Sequence, residues 1–363
     1  VVLNLKTHKT YVIAEVAQAH DGSLGMAHAF IDAIARTGAD AVKFQTHIAD
    51  AESTKDEPWR IRFSPQDETR YDYWKRMEFS YDAWRGLRLH AEEKGLLFIS
   101  SPFSNQAVHW LTALEIDAWK IASGEISHFS MFEDIVKTKW PVILSTGMSG
   151  WKEIDQSVAF FKSHHQPLAV LQCTTAYPCP ATQIGIQNLA RIHARYQCET
   201  GLSDHSATIY PSLYAAALNA RIVEVHATLS RDMFGPDTSS SVTIDELKTL
   251  CDGVRFFEQM RVHDQDKDKS AAQLTDLRRM FGRSLVSSCD LKKGTFLKKE
   301  HVILKKPGFG IAADRLAQFL GASLTKDIPA QTLFQESDFE LESATIQPLF
   351  RGLSHEQQRK KRA

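Results

Sequence analysis

Eight short apolar runs recur along roughly the first 230 residues: YVIAEVA (11–17), AVKFQT (41–46), LLFISS (96–101), AWKIAS (118–123), PVILST (141–146), LAVLQCT (168–174), CETGLS (198–203) and RIVEVHA (221–227). Helical patterns separate most of them. MAHAFIDAIARTG (26–38) spaces apolar residues by three and four and stops on Gly38; AWRGLRLHAEEKG (83–95) does the same and stops on Gly95. IYPSLYAAALNA (209–220) is a third such stretch. Strand and helix alternating eight times imply an α/β fold, a (β/α)8 TIM barrel. Continuous apolar strands such as PVIL suit a parallel sheet covered on its outside. An open doubly wound sheet is the alternative, but no glycine-rich dinucleotide fingerprint accompanies these strands.

The rhythm stops near residue 240. DELKTLCDGVRFFEQMRV (245–262) reads as a helix, and the charged stretch after it as a linker. Residues 284–340 combine short strand patterns, Lys-Gly turns and one short helix, about the length of a small domain. The expected division is a barrel over 1–262, a linker over 263–283, a small domain over 284–345 and a solvated basic tail over 346–363. One connection is unusually long. Residues 49–80 are polar and aromatic, and loops of this length in compact domains are functional or partly helical.

Charge and cysteine usage narrow the function classes. Lys plus Arg (43) nearly cancels Asp plus Glu (44), so no global basic field for nucleic acid exists, although local anion pockets can. No run approaches 18 apolar residues, which argues against a membrane span. The N-terminal stretch lacks the pattern of a signal peptide. Five scattered cysteines without a CxxC pair suit reduced thiols in the cytoplasm rather than a disulfide framework or structural zinc.

A (β/α)8 barrel keeps its active site at the C-terminal ends of its strands. Polar residues there need a reason, because the barrel interior is packed. Reading those ends gives Glu15, Lys43, Gln45, Ser101, Lys120, Ser123, Ser145, Thr175, Ser203, His205, Glu224 and His226. Lysines beside hydroxyls suit a phosphate or carboxylate. Two imidazoles beside carboxylates suit a divalent metal. Taken singly, each has a plainer account. Lys43 could snorkel, Ser101 and Ser145 could satisfy backbone groups, and a lone His is more often a hydrogen-bonded core residue. The pairing of His205 and His226 on consecutive strands is what favours ligands. Asp204 would then orient one of the imidazoles. His20, His47 and the His164–His165 pair lack such company.

The motifs AEVAQAHDGS, GADAVKFQT, FISSPFS, WKIASGE, PVILSTGMS, LQCTTAYP, GLSDHS, VEVHATLSRDMFGPD and KKPGFGI together carry a resemblance. From about residue 10 to 340 the chain resembles the sialic acid synthases, the N-acetylneuraminate synthase group that includes legionaminate and pseudaminate synthases. Its last segment resembles the antifreeze-like, β-clip-like SAF domain of that family. The resemblance implies condensation of phosphoenolpyruvate with an open-chain N-acyl amino sugar, N-acetylmannosamine or a related 2,4-diamino sugar. Water is consumed, and a nonulosonic acid and phosphate are formed. It implies a divalent metal, most often Mn2+, on His205 and His226. It implies a phosphoenolpyruvate site on Lys43, Ser101, Lys120, Ser123, Ser145, Thr175, Tyr177 and Ser203. Glu15 and Glu224 fall on catalytic positions, with their roles undivided, and Gln45, Asp237 and Lys306 on sugar-binding ones. Thr175 stands where the family has Asn, Ser101 where Thr is common, and Lys306 where an Arg often precedes Pro-Gly. The implied assembly is a domain-swapped homodimer, although a small domain on a charged linker is equally compatible with packing in cis. Two rival readings are another phosphoenolpyruvate-dependent keto-deoxy sugar acid synthase and a non-catalytic sugar-binding protein on the same fold.

Overall fold

The computed structural model describes residues 2–340. The expected basic tail and the last five residues expected for the small domain lie outside the described residues. The chain divides into two compact units, with the boundary between His263 and Asp264.

The first unit is a closed barrel. Its strands are β1 (Tyr11–Glu15), β2 (Ala41–Thr46), β3 (Leu97–Pro102), β4 (Ala118–Ile121), β5 (Val142–Ser145), β6 (Leu168–Cys173), β7 (Glu199–Asp204) and β8 (Ile222–Thr228). Each pairs in parallel with the next, and β8 returns to β1 with Glu15 opposite His226. Closure removes both sheet edges and excludes the open doubly wound alternative.

The helices form where the spacing of apolar residues expects them. Helix Leu24–Ala35 buries Ala27, Phe30, Ile31 and Ile34, and Ser23 caps it by accepting from the Met26 N–H. Helix Tyr81–Glu93 buries Trp84, Leu87 and Ala91 against the sheet. A core cluster joins these faces to the outward side chains of the strands, among them Val12, Val42, Phe44, Phe98, Trp119 and Leu144. A second cluster fills the barrel itself with Tyr11, Ile13, Ala41, Ile99, Ala118, Ile143, Ala169, Leu171 and Ile222, with Leu3 and Leu5 added from the N-terminal segment. It is a dry floor beneath the strand ends.

The connection after β2 is partly helical. It holds helices Ala49–Glu52 and Arg70–Met77, the second opened by a capping box between Thr69 and Asp72. Arg76 fixes it by pairing with Asp67 at 2.8 Å and with Asp21 of the β1 loop at 2.7 Å.

The second unit has its own core of Leu285, Leu291, Leu297, Ile311, Phe319, Leu324, Ile328, Phe334 and Phe339. Short antiparallel pairs, Ser284–Ser287 with Val302–Lys305 and Ser323–Leu324 with Phe339–Glu340, frame it. The stretch expected as a linker is different. It holds two helices, Lys267–Gln273 and Thr275–Phe281, within the second unit. Asp266 makes the first possible, since its carboxylate accepts from the Asp268 and Lys269 N–H groups. Charge alone had suggested a solvated connection; the cap converts it into helix.

Among the described residues no helix is long and apolar enough to cross a membrane. All five cysteines are free thiols.

Gly201 of β7 shows how tightly the barrel closes. A Cβ there would lie 2.3 Å from the Ile222 carbonyl oxygen and 2.5 Å from the Leu171 side chain. Gly201→Ala should therefore destabilise the protein by about 1–3 kcal/mol through overpacking. Urea unfolding followed by tryptophan fluorescence measures this as a lower midpoint at unchanged slope.

Candidate active site

Side chains alternate between the two faces of a strand, so two residues beyond the floor lies the next inward layer. Along the strands that step leads from Ile13 to Glu15, Ala41 to Lys43, Ile99 to Ser101, Ala118 to Lys120, Ile143 to Ser145, Leu171 to Cys173, Gly201 to Ser203 and Ile222 to Glu224. One layer is apolar and the next is polar except at Cys173.

The polar layer is a buried charge network. Lys43 is ion-paired with Glu15 and lies 3.7 Å from Glu224 Oε1. Lys120 approaches the same Glu224 oxygen at 3.1 Å, and Ser203 Oγ donates to it at 3.2 Å. Burial pushes the Glu224 carboxyl up, but Lys120 and Lys43 outweigh burial and hold it down at about 2. Burial would likewise lower Lys43, yet Glu15 and Glu224 keep its ammonium above the ordinary lysine value. Two cations facing two carboxylates at the centre of a barrel leave no net charge without a partner.

Above it opens a cavity of about 160 Å³. Every residue expected to bind phosphoenolpyruvate lines it: Lys43, Ser101, Lys120, Ser123, Ser145, Thr175, Tyr177 and Ser203, together with His205, Glu224, His226 and Gln45. Glu15 does not line it. It sits fully buried, with one oxygen taken by Lys43 and the other accepting from Gln45 Nε2 at 2.8 Å. The hydroxyls of Ser101 and Ser145, Glu224 Oε2 and His226 Nδ1 are buried without a hydrogen-bond partner among the described residues. Unsatisfied groups of this kind are costly unless a ligand completes them.

Gly147, just past β5, packs against three of the lining side chains, Ser123, Thr175 and Cys173. Its N–H donates to Ser123 Oγ at 2.9 Å, and a Cβ there would lie 2.5 Å from Thr175 Oγ1 and 2.9 Å from Cys173 Sγ. Only a glycine lets the backbone pack this near those side chains.

His205 and His226 meet with ring centroids 5.2 Å apart, and the Tyr177 ring lies tilted against His205 at 4.2 Å. His205 Nδ1 lies 3.0 Å from the Thr174 carbonyl. A carbonyl only accepts, so Nδ1 carries the proton and Nε2 keeps its lone pair. Burial, and next the His226 imidazole, push His205 down to about 3, so it is neutral at physiological pH. Neutral imidazoles with a carbonyl-fixed tautomer are what a divalent metal needs from histidine. Among the described residues no group of three or more His, Cys, Asp or Glu is placed to hold a metal ion, so protein ligation would rest on the two imidazoles.

Asp204 does not orient an imidazole. It lies on the opposite face of β7 from Ser203 and accepts from the Ser206 N–H at 3.1 Å and the Ser206 hydroxyl at 2.8 Å. The Thr174 carbonyl takes the role expected of it. His47 also differs from expectation. It is sandwiched between Trp74 at 4.1 Å and Phe103 at 4.3 Å, bonded to Glu52 Oε1 at 2.7 Å and to Gln18 Nε2 at 3.0 Å. Gln18 donates to Gln45 Oε1 at 2.7 Å, so a chain of bonds runs from Glu52 to Glu15. The two-residue spacing of Gln45 and His47 was the sequence signal for this chain.

A second chamber of about 250 Å³ adjoins the first and shares Gln45, Tyr177 and His226 with it. Asp237 lines it, 3.8 Å from His226 Nδ1. Its other walls come from the connection after β2, chiefly Trp59, Phe63, Tyr73 and Trp74. Lys306 belongs to the second unit, beside the cis Lys306–Pro307 bond, with its ammonium 5.3 Å from the Phe281 ring centroid.

A sequence profile described as the NeuB family matches residues 30–266, and a SAF domain profile matches 282–340. The chain belongs to the NeuB family. It is 33% identical over 334 residues to the N,N'-diacetyllegionaminic acid synthase of Campylobacter jejuni, covering 90% of this chain and 99% of that protein. It is 32% identical over 336 residues to a pseudaminic acid synthase of the same species, covering 91% of this chain and 97% of the relative. Among solved structures, an N-acetylneuraminic acid synthetase from Leptospira borgpetersenii in complex with citrate superposes with a TM-score of 0.64 at 27% identity, covering 75% of this chain and 93% of that one. The family relationship thus spans both the NeuB barrel and the SAF unit.

The charge network predicts a large cost for breaking it one-sidedly. Lys43→Met leaves Glu15 buried without its cation and should lose about 3–5 kcal/mol of stability. The double variant Lys43→Met/Glu15→Gln should recover part of that loss in the same urea titration.

Proposed function

We propose that this chain is a synthase that condenses phosphoenolpyruvate with an open-chain N-acyl amino sugar and water, giving a nonulosonic, sialic-type acid and phosphate. The observation that carries the reading is one cavity, in a chain of the NeuB family, that unites Lys43 and Lys120, the two unpartnered hydroxyls of Ser101 and Ser145, and two imidazoles at the strand ends.

Lys43 and Lys120 offset the phosphate and carboxylate charges of phosphoenolpyruvate. Ser101, Ser123, Ser145, Thr175 and Tyr177 supply hydroxyls around the phosphate. A divalent metal held by His205 and His226, Mn2+ by family resemblance, would supply Lewis-acid polarisation of the sugar aldehyde. C3 of phosphoenolpyruvate bonds to the aldehyde carbon, and positive charge develops at C2. Water adds to C2, and the C2–O bond to phosphate breaks. Glu224 suits the stabilisation of that cation, since it stays ionised and has an oxygen without a partner. Glu15, with both oxygens occupied, fixes Lys43 and Gln45 instead. Asp237 and Gln45 reach the chamber that would hold the sugar. The acceptor need not be N-acetylmannosamine, because the chain is similar to synthases of several nonulosonic acids. The resemblance also supports a cytoplasmic, domain-swapped homodimer in which Lys306 reaches the partner's sugar as a single ammonium rather than a bidentate guanidinium.

Phosphate should be released only when phosphoenolpyruvate and an N-acyl amino aldehyde are both present, as read by a phosphate assay and product mass spectrometry over a panel of N-acyl hexosamines. Release with phosphoenolpyruvate alone would indicate a phosphatase, and turnover with non-acylated aldoses another keto-deoxy acid synthase. His205→Ala and His226→Ala should each lower metal-dependent turnover by at least about 10³-fold while the circular dichroism spectrum stays that of the folded protein. Chelated wild-type enzyme should regain activity when Mn2+ is restored; full activity in chelated His226→Ala would remove the metal assignment.

A further inference from the structure

With Tyr177 and His226, Gln45 lines both chambers. An amide can face either way, and the end that meets a substrate decides whether it donates or accepts. One assignment satisfies every contact around Gln45. The Glu15 carboxylate accepts from Gln45 Nε2 at 2.8 Å. At the far end of the chain Glu52 Oε1 meets His47 Nδ1 at 2.7 Å, and the other Glu52 oxygen accepts from the Ile48 N–H at 3.1 Å. A carboxylate accepts, so His47 carries a proton on Nδ1 and keeps a lone pair on Nε2. Gln18 Nε2 lies 3.0 Å from that lone pair and 2.7 Å from Gln45 Oε1, and gives one N–H to each. Those two acceptors stand only 3.2 Å apart, with the Gln18 amide bridging them. Turning either amide over would set an acceptor against an acceptor.

We infer that His47, held by Glu52 and acting through Gln18, is a positioning residue for the acceptor sugar: it fixes the Gln45 amide so that its one uncommitted N–H meets a sugar oxygen as a donor. The inference rests on the synthase reading above. His47 and Glu52 line neither chamber, so they act on a substrate only through other side chains. Packing alone does not account for them. The His47 ring lies between Trp74 and Phe103, nearly parallel to both at 19° and 14°. Trp74 is also part of the aromatic box, with Trp59, Phe63 and Tyr73, that walls the outer chamber. An apolar ring would fill such a slot as well, without the cost of burying an imidazole and a carboxylate. What the imidazole adds is direction. Its clamped ring cannot turn to exchange its two nitrogens, so the donor end of Gln18 stays toward Gln45. Gln45 and His47 are two residues apart, a spacing that brings both to one face at the end of β2.

The test is a double-mutant cycle read with phosphoenolpyruvate, Mn2+ and the N-acyl hexosamine of the panel above that is turned over fastest. His47→Phe keeps a ring between Trp74 and Phe103 and removes both polar contacts. It should raise the acceptor KM about 10-fold, the worth of one well-placed hydrogen bond, with kcat and the phosphoenolpyruvate KM within about 2-fold of wild type. Glu52→Leu removes the group that holds the imidazole tautomer, and should shift the acceptor KM in the same direction; it carries the test if His47→Phe does not fold, as thermal unfolding reports. Gln45→Met should raise the acceptor KM at least as much as His47→Phe. Adding His47→Phe to Gln45→Met should then change it by less than about 2-fold, because the group that His47 positions is already gone. A second full 10-fold rise in the double variant would overturn the positioning role, as would an acceptor KM unchanged in both His47→Phe and Glu52→Leu. Absence of phosphoenolpyruvate-dependent condensation in the wild type would instead remove the synthase reading, and the positioning role with it.

Discussion

The ion pair of Lys43 with Glu15, extended through Glu224 to Lys120, is the constraint around which the barrel mouth is organised. Placing two ammonium groups in a packed interior is costly, and the cost is offset only if carboxylates meet them at close range. The fold achieves this by pairing β1 with both β2 and β8, so that Glu15 stands in register with Lys43 on one side and His226 on the other. Ser203 stands opposite Glu224 by the same logic. Register, not loop conformation, fixes the centre of the site, and a slip of one residue would turn every one of these groups outward.

The apolar floor makes this network possible. Ile13, Ala41, Ile99, Ala118, Ile143, Leu171 and Ile222 exclude water from below, so the charges face solvent and ligand from one side only. Field lines are then focused toward the mouth. The same walls that make unpaired charge costly make paired, ligand-directed charge effective.

Much of this was legible in the sequence. Eight apolar runs with helical spacers are enough to specify the barrel, and the strand-end rule is enough to gather Lys43, Lys120, Ser145, His205, Glu224 and His226 into one cavity. What strand-end reading does not contain is the direction of each side chain around a turn or beyond a strand. Asp204 and His205 are adjacent in sequence, yet one faces Ser206 and the other the cavity, and period-two alternation would have separated them. His47 looked solitary because, apart from its spacing to Gln45, its partners Glu52, Trp74 and Phe103 come from a connection and a strand end that strand-end reading does not join. The helices after Val262 were hidden for a different reason: a charged stretch reads as solvated until its cap, Asp266, is recognised.

The two chambers differ in how the sequence encodes them. The central cavity draws its groups from strands spread over nearly 200 residues, each constrained by register with two neighbours. The aromatic box is written almost entirely within residues 59–74, on a connection anchored through Arg76 but outside the sheet. Inheritance acts on these differently. A short insertion, deletion or recombination within that one stretch can exchange the aromatic wall of the outer chamber, while the inner one can change only by coordinated substitutions on several strands. The architecture therefore separates a slowly varying half of the mouth from a half that can be replaced in a single genetic event.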